Sequence, residues 1–430
     1  SSIKIPRKRS ACFFLIPDSG ACSLCSLCRG TRAYHTGFLR KIYEIRTNYA
    51  LFWAFRCFWL NMKSENAIIH FMNTKILTVN EYDPEPEVIR EAAQVLKDGG
   101  LVAFPTETVY GLGGDGLNPE ASGKIYAAKG RPSDNPLILH IAEREELIPL
   151  TAEIPQMAER LMDTFWPGPM TLIFRKSEQV PYETTGGLDT VAVRMPSHPV
   201  ARRLIQEAGL PIAAPSANLS GRPSPTSASH VEEDLNGRID MILDGGDVQI
   251  GLESTIIDVT GDAPVILRPG FISREDVEAL MGSCTLDPAI VGKPDPNLRP
   301  KAPGMKYRHY APQADMLIVE GDPDFVTRTI CAKAAKDLAE GKKVAVLCTE
   351  ESRAAYGDLS CHTVGTRGNE ETIAHNLFRC LREFDEEKVD MIYSESFREG
   401  TLGGAIMNRL LKAAGYHVLQ QIGGAHGSLS

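Results

Sequence analysis

The sequence predicts an α/β protein in which a larger mixed α/β domain is followed by a smaller domain with a parallel sheet. Three observations carry this. From residue 72 onward, short apolar runs of strand length alternate with stretches of helical period. A proline-dense run, Lys293-Pro-Asp-Pro-Asn-Leu-Arg-Pro-Lys-Ala-Pro303, then interrupts the pattern, because so many prolines suit neither a helix nor a central strand. Beyond it strands and helices alternate again, as parallel strands joined by helical crossovers do. At 430 residues the chain also exceeds the roughly 250 to 300 residues at which single cores stop growing, so a seam is expected.

Taken in order, residues 1–71 stand apart. They are rich in Arg, Lys, Cys and aromatics, carry only Asp18 and Glu44 as acids before residue 60, and show no sustained period. They read as a non-native or disordered extension, translated upstream of a start at Met62 or Met72. The apolar run from Ala50 to Leu60 is too short for a bilayer span and has Arg56 in its middle. Residues 72–282 form the first domain. A strand is expected at Lys75–Val79, an amphipathic helix at Glu85–Lys97 closed by Gly99 and Gly100, and a buried strand at Leu101–Phe104 stopped by Pro105. Further strands are expected at Leu137–Ile141, Met170–Phe174, Thr190–Arg194, Ile212–Ala214, Met241–Leu243, Thr255–Val259 and Val265–Leu267. Helices are expected at Pro119–Ala128, Pro155–Phe165, Pro199–Glu207 and Arg274–Met281. Residues 283–312 are expected to be an extended Pro-rich linker, and 313–430 a second domain with strands at Met316–Val319, Lys343–Leu347, Met391–Tyr393 and Tyr416–Leu419.

Composition narrows the function. Hydrophobic residues at 43% and charged residues at 23% belong to a folded globular protein. A net charge of -9 opposes coating nucleic acid through bulk charge, although a local basic cleft stays open. The cysteines after residue 60 show no framework spacing, which fits a reducing compartment. Cys22, Cys25 and Cys28 lack the second pair or nearby His that a closed zinc site needs.

Several polar stretches rich in Gly, Pro or hydroxyls fall at strand ends, where open α/β folds place ligands. They are Pro105-Thr-Glu-Thr-Val-Tyr-Gly-Leu-Gly113, Ala128-Lys-Gly-Arg-Pro-Ser-Asp-Asn-Pro136, Asp189-Thr-Val-Ala-Val-Arg-Met-Pro196, Ala214-Pro-Ser-Ala-Asn-Leu-Ser-Gly-Arg-Pro-Ser224, Gly251-Leu-Glu-Ser-Thr-Ile-Ile-Asp258 and Leu267-Arg-Pro-Gly270. Lys129 and Arg131 flank a glycine that lets backbone approach an anion. Arg194 ends an apolar strand, so its charge must be paired or functional. Alone, each stretch is equally well a plain strand-to-loop connection or a solvated charged turn. Ser122-Gly-Lys124 is not the end of a P-loop, since Asn118 stands where the leading Gly belongs and Ile125 replaces the Ser or Thr.

Together and in this order, PTETVYGLG, KGRPSDNPL, WPGPMTL, VAVRMPSHP, PIAAPSANLSGRPSPT, GLESTIIDV, LRPG and APGMKYRHYAP resemble the YrdC-like threonylcarbamoyl-AMP synthases in their long form. The tail Gly403-Gly-Ala-Ile-Met-Asn-Arg-Leu-Leu-Lys412 resembles the end of that form's second domain. The resemblance runs from about residue 74 to 424, and departs where Ala302 replaces a serine common in the family linker. It implies a YrdC-like mixed α/β domain with a twisted sheet, followed by a Rossmann-like parallel domain. It also implies synthesis of threonylcarbamoyl-AMP from L-threonine, bicarbonate and ATP, with release of pyrophosphate, for threonylcarbamoyladenosine modification of tRNA.

By motif match, threonine is expected to meet Thr108, His140, Arg194, the backbone at Ala214, and Ser254. ATP is expected to meet Lys129, Arg131, Asn135, Thr190, Ser216, Ser224, Arg268 and Tyr307. Mg2+ is expected to travel with ATP, held mainly by phosphates because no carboxylate cluster offers a cage. No side chain stands out as a covalent nucleophile, and no tightly bound organic cofactor is expected. Transfer proteins acting on tRNA are the expected downstream partners, with tRNA contact possible and no membrane, in a cytoplasmic setting. The linker stretch Pro303 to Pro312 is expected either to pack the domains through Tyr307 and Tyr310 or to act as a lid. The rival readings are a double-stranded RNA or tRNA-binding module without catalysis, and a carbamoyl transferase of hydrogenase maturation. The second would need paired C-x-x-C fingers that the sequence lacks.

Overall fold

The computed structural model describes residues 73–290, 300–305 and 309–421. The N-terminal extension expected at 1–71 lies outside them. The larger sheet is built from β1 (Lys75–Thr78), β2 (Val102–Phe104), β3 (Gly111–Asp115), β4 (Ile138–His140), β5 (Met170–Arg175), β6 (Thr190–Arg194), β7 (Ile212–Ala213), β8 (Met241–Asp244), β9 (Thr255–Asp258), β10 (Val265–Arg268) and β11 (Thr285–Leu286). They run in the order β1-β8-β2-β3-β7-β4-β6-β5-β9-β10-β11, with parallel and antiparallel pairs mixed. The helices of this part are α1 (Pro86–Lys97), α2 (Pro119–Lys129), α3 (Gln156–Phe165), α4 (Tyr182–Thr185), α5 (Pro199–Ala208), α6 (Ala228–Leu235) and α7 (Arg274–Met281).

Local chemistry sets these elements. Helix α1 opens on Pro86, whose missing N–H costs nothing in the first turn, and buries Ile89, Ala92, Ala93 and Leu96 at helical spacing. Helix α2 is capped by the Asn118 side chain, which accepts from the Glu120 N–H, and ends at Gly130 in the left-handed region (φ 61°). That turn puts Lys129 and Arg131 on either side of the helix end. Strand β5, Met-Thr-Leu-Ile-Phe-Arg, is buried at every position but the last, as a central strand covered on both faces should be.

The second sheet holds β12 (Asp315–Glu320), β13 (Val344–Cys348), β14 (Ser360–Thr363), β15 (Met391–Glu395) and β16 (Val418–Gln420), in the order β14-β13-β15-β12-β16. Every pair in it is parallel. Its helices are α8 (Pro323–Ala339), α9 (Glu370–Glu386) and α10 (Gly403–Ala413).

The structure departs from expectation in a few places. Strand β3 was not foreseen, because Gly-Leu-Gly-Gly-Asp has the composition of a loop. It is a strand because neighbours fill the space that side chains would need. A Cβ on Gly113 would stand 2.7 Å from the Phe104 ring and 2.8 Å from Ile212 Cγ2. The segment expected to be an extended linker begins by adding β11 parallel to β10. Strand β14 was missed because its positions are exposed or half-buried and show no apolar run. Helix α6 was missed although Ser227 caps it by accepting from the His230 N–H.

The second domain meets the first through α9 and α10. Val109, Leu252 and Tyr310 share one apolar cluster with Leu377, Phe378, Ile406 and Leu410. Gly251 (φ 81°) lies so close to α9 that a Cβ there would be 2.6 Å from the His375 backbone. Arg382 and Arg409, both fully buried, enter the first domain from these helices. Arg382 reaches Asp234 at 2.9 Å, and Arg409 reaches Glu253 at 3.0 Å.

Candidate active site

The pocket opens where several strand ends converge. Parallel β4 and β6 end side by side, so that His140 and Arg194 are register partners, and Thr171 of β5 faces Arg194 from the antiparallel side. Thr108 comes from the hydroxyl-rich turn before β3, and Ala214 and Ser216 from the turn after β7. Ser254 precedes β9 and Arg268 ends β10. Lys129 and Arg131 stand at the end of α2, and Ser224 lies on the loop beyond Ala214. Of the residues assigned from sequence, all these line one pocket.

The others fall elsewhere. Asn135 is buried beside the pocket: its carbonyl accepts from Arg131 Nε at 3.2 Å, while its Oδ1 has no partner. Thr190 is at the opposite end of β6 from Arg194, about 13 Å away at ~3.3 Å per residue, and is not among the pocket-lining residues. Tyr307 lies outside the described residues.

Cations dominate the lining. Lys129, Arg131, Arg194, Arg222 and Arg268 stand against the single carboxylate Glu253. The Lys129 amine donates to the carbonyls of Ser216 and Asn218, and burial, then the charge of Arg131, holds its pKa well below the ordinary lysine range. Arg268 donates to the Ser254 carbonyl at 3.0 Å and to its hydroxyl at 3.1 Å. Ser254 in turn shares a 2.8 Å hydrogen bond with Thr171. Arg194 donates to Thr108 Oγ1 at 2.9 Å and to the Gly168 carbonyl at 3.3 Å. Burial, then the nearby Arg194, draws His140 down to about 3, so its imidazole is neutral at physiological pH.

Residues that the motif match did not assign complete the site. Glu107 forms a buried ion pair with Arg194. Glu253 accepts a 2.5 Å hydrogen bond from Ser224 Oγ. Pro303, Gly304, His309 and Tyr310 of the linker stretch form part of the pocket wall. Tyr310 also stacks at 5.1 Å on Phe378 of α9, so a single ring both closes the pocket and packs the domains. The visible signal for Glu253 was a carboxylate beside Ser254 in an otherwise apolar strand entry; for His309 and Tyr310 it was aromatic residues in a proline-framed linker.

This architecture has known relatives. Residues 94–270 match the Sua5, YciO and YrdC family model described as "Telomere recombination", and residues 272–415 match the model described as "Threonylcarbamoyl-AMP synthase, C-terminal domain". The threonylcarbamoyl-AMP synthase of Pyrococcus abyssi is 51% identical over 348 residues, covering 81% of this chain and 99% of its own length. The chain belongs to the Sua5/YrdC family of threonylcarbamoyl-AMP synthases. The family's Bacillus subtilis member is 50% identical, over 79% of this chain and 95% of its own length. A crystal structure of P. abyssi Sua5 complexed with L-threonine superposes with a TM-score of 0.77 at 51% identity, covering 81% of this chain and all of the other. The long form of the family, with both domains, is thus the one this chain shares.

Proposed function

We propose that this chain makes threonylcarbamoyl-AMP from L-threonine, bicarbonate and ATP, releasing pyrophosphate and water, for modification of tRNA. The observation that carries this is the convergence of Lys129, Arg131, Arg194 and Arg268 on one pocket beside a neutral histidine. The reaction gathers a carboxylate, a carbamate and a triphosphate, so the site has to offset several anions at once, and fixed cations do that by positioning and electrostatics. Threonine's amine attacks the bicarbonate carbon with loss of water, giving a carbamate. A carbamate oxygen then attacks the α-phosphorus, and the bond to the bridging oxygen of pyrophosphate breaks.

In this reading Arg194 and Thr108 hold the threonine carboxylate, and Arg131, Lys129 and Arg268 face the phosphates. His140 Nδ1 lies 3.2 Å from the Ile138 carbonyl, which suits a neutral ring donating there and leaving Nε2 as an acceptor toward substrate. A histidine held near pKa 3 orients a proton rather than taking one. Mg2+ enters as part of the MgATP substrate. Both nearby carboxylates, Glu107 and Glu253, are engaged by arginines, so they favour a metal held by phosphate oxygens and water.

The test is incubation with ATP, labelled bicarbonate and L-threonine, followed by analysis for an adenylate carrying the label. Pyrophosphate release that requires threonine is expected. Release independent of threonine, or none, overturns the reading.

A further inference from the structure

The tail motif Gly403 to Lys412 has no part in the chemistry above, yet its Arg409 is fully buried against the first domain. We propose that Arg409 is a positioning residue for the nucleotide side of the pocket, acting through Glu253; this rests on the ATP-dependent reaction proposed above. Arg409 Nε donates to Glu253 Oε2 at 3.0 Å, and Nη2 donates to the Glu253 carbonyl at 3.2 Å. Its Nη1 donates to the carbonyl of Pro269 and, at 3.3 Å, to that of Ala405. One guanidinium therefore ties the turn before β9 to the turn after β10. Each turn carries a pocket residue, Ser254 next to Glu253 and Arg268 next to Pro269.

The two turns have no slack. A Cβ on Gly270 would stand 2.4 Å from the Thr255 nitrogen and 2.7 Å from the Glu253 carbonyl oxygen. The other carboxylate oxygen of Glu253 accepts from Ser224 Oγ at 2.5 Å. Glu253 is thus a buried acid at the edge of a site that has to admit a triphosphate. Left without a fixed counter-cation, it repels phosphate and draws Arg268 toward itself. Arg409 removes both effects, because its planar fork reaches carboxylate and carbonyls at once. Its own position is set by the second domain, where Ile406 and Leu410 of α10 pack into the apolar cluster. No described residue beyond Tyr310 lines the pocket, yet the second domain completes its nucleotide side through this contact.

The test uses the full chain and measures by calorimetry the binding of a non-hydrolysable ATP analogue and of L-threonine. Arg409→Gln is expected to weaken the analogue about tenfold or more and threonine, which meets only Ser254 on the tied turns, by clearly less. The double variant Glu253→Gln with Arg409→Gln is expected to return the analogue to within about threefold of wild type, because no uncompensated carboxylate remains. A merely structural clamp predicts no such recovery. The proposal is overturned by analogue affinity within about twofold of wild type in folded Arg409→Gln, or by a double variant as weak as the single one. If Arg409→Gln does not fold, Arg409→Lys, which keeps the charge but cannot bridge both turns, is expected to show the same loss in smaller size and decides by the same criterion. Threonine-dependent pyrophosphate release by the wild type is measured alongside. Its absence overturns the reaction, while analogue binding still decides the relay.

Discussion

The Oε1 of Glu107 lies 2.7 Å from Nη2 of Arg194, with the two side chains 4% and 5% exposed. Neither carboxylate oxygen of Glu107 accepts a hydrogen bond, and that Nη2 donates none. The pair balances charge without satisfying its donors and acceptors, which leaves Arg194 open to a second anion. In Glu107→Gln, Arg194 becomes a buried charge without its partner, so stability should fall by about 3 to 5 kcal/mol. A bound threonine carboxylate would then relieve more than it does in wild type. The melting temperature with and without threonine checks this: the ligand-induced rise should be larger in the variant, and an equal or smaller rise sinks the idea.

Arg194→Ala should impair threonine use far more than ATP binding. Losing one partner of a desolvated charged hydrogen bond costs about 2 to 5 kcal/mol, and Thr108 loses its 2.9 Å donor as well. Separate titrations of threonine and of an ATP analogue decide it; threonine affinity within about twofold of wild type would place the carboxylate elsewhere.

Arg382 and Asp234, both without solvent exposure, pair at 2.9 Å across the domain junction. Arg382 also donates to the Pro223 carbonyl at 2.6 Å. Arg382→Met alone should cost about 3 to 5 kcal/mol, since the buried Asp234 loses its fully buried partner and keeps Arg222 and the Leu219 N–H. Replacing both partners, with Asp234→Leu as the second change, should cost clearly less than the single variant, because the fully buried Asp234 carboxylate no longer sits under-compensated. Urea unfolding of the two variants gives the comparison, and a double variant weaker than the single one contradicts it.

His140 carries a pH dependence whose sign can be worked out. Its folded pKa, about 3, lies below the ordinary 6.5, so the unfolded chain binds more protons between those values and folding stability falls as pH drops through that window. Above 6.5 the group contributes nothing to the slope. His140→Asn keeps a donor for the Ile138 carbonyl and has no titration, so its stability relative to wild type should improve from pH 7 to pH 4.5 by up to ~1.4 kcal/mol per pH unit. Unfolding curves at the two pH values measure this, and an unchanged difference counts against a neutral buried His140.

Much of the site was legible because its residues sit next to strand ends that hydrophobic pattern locates. Arg194 at the end of Val-Ala-Val, His140 at the end of Ile-Leu and Arg268 at the end of Val-Ile-Leu are of this kind. Thr190 shows the limit of the same logic. The motif match assigned it to ATP, but the extended β6 carries Thr190, four positions before Arg194, to its opposite end, and only the Arg194 end lines the pocket. Strand β3 shows another, since glycine composition reports the missing side chains and not the neighbours that fill their space.

By itself, then, the sequence determined the α/β class with its two sheets, the strand ends that carry Arg194, His140 and Ser254, and the family. These follow from local period and from short motifs, both of which are written along the chain. Tertiary structure alone decided the charge partners. Glu107 meets Arg194 across 87 positions, Arg382 meets Asp234 across 148, and Arg409 meets Glu253 across 156. Burial is what gives such pairs meaning: an arginine on an amphipathic helix reads as a solvated charge until another domain covers it, and only then must it find a carboxylate.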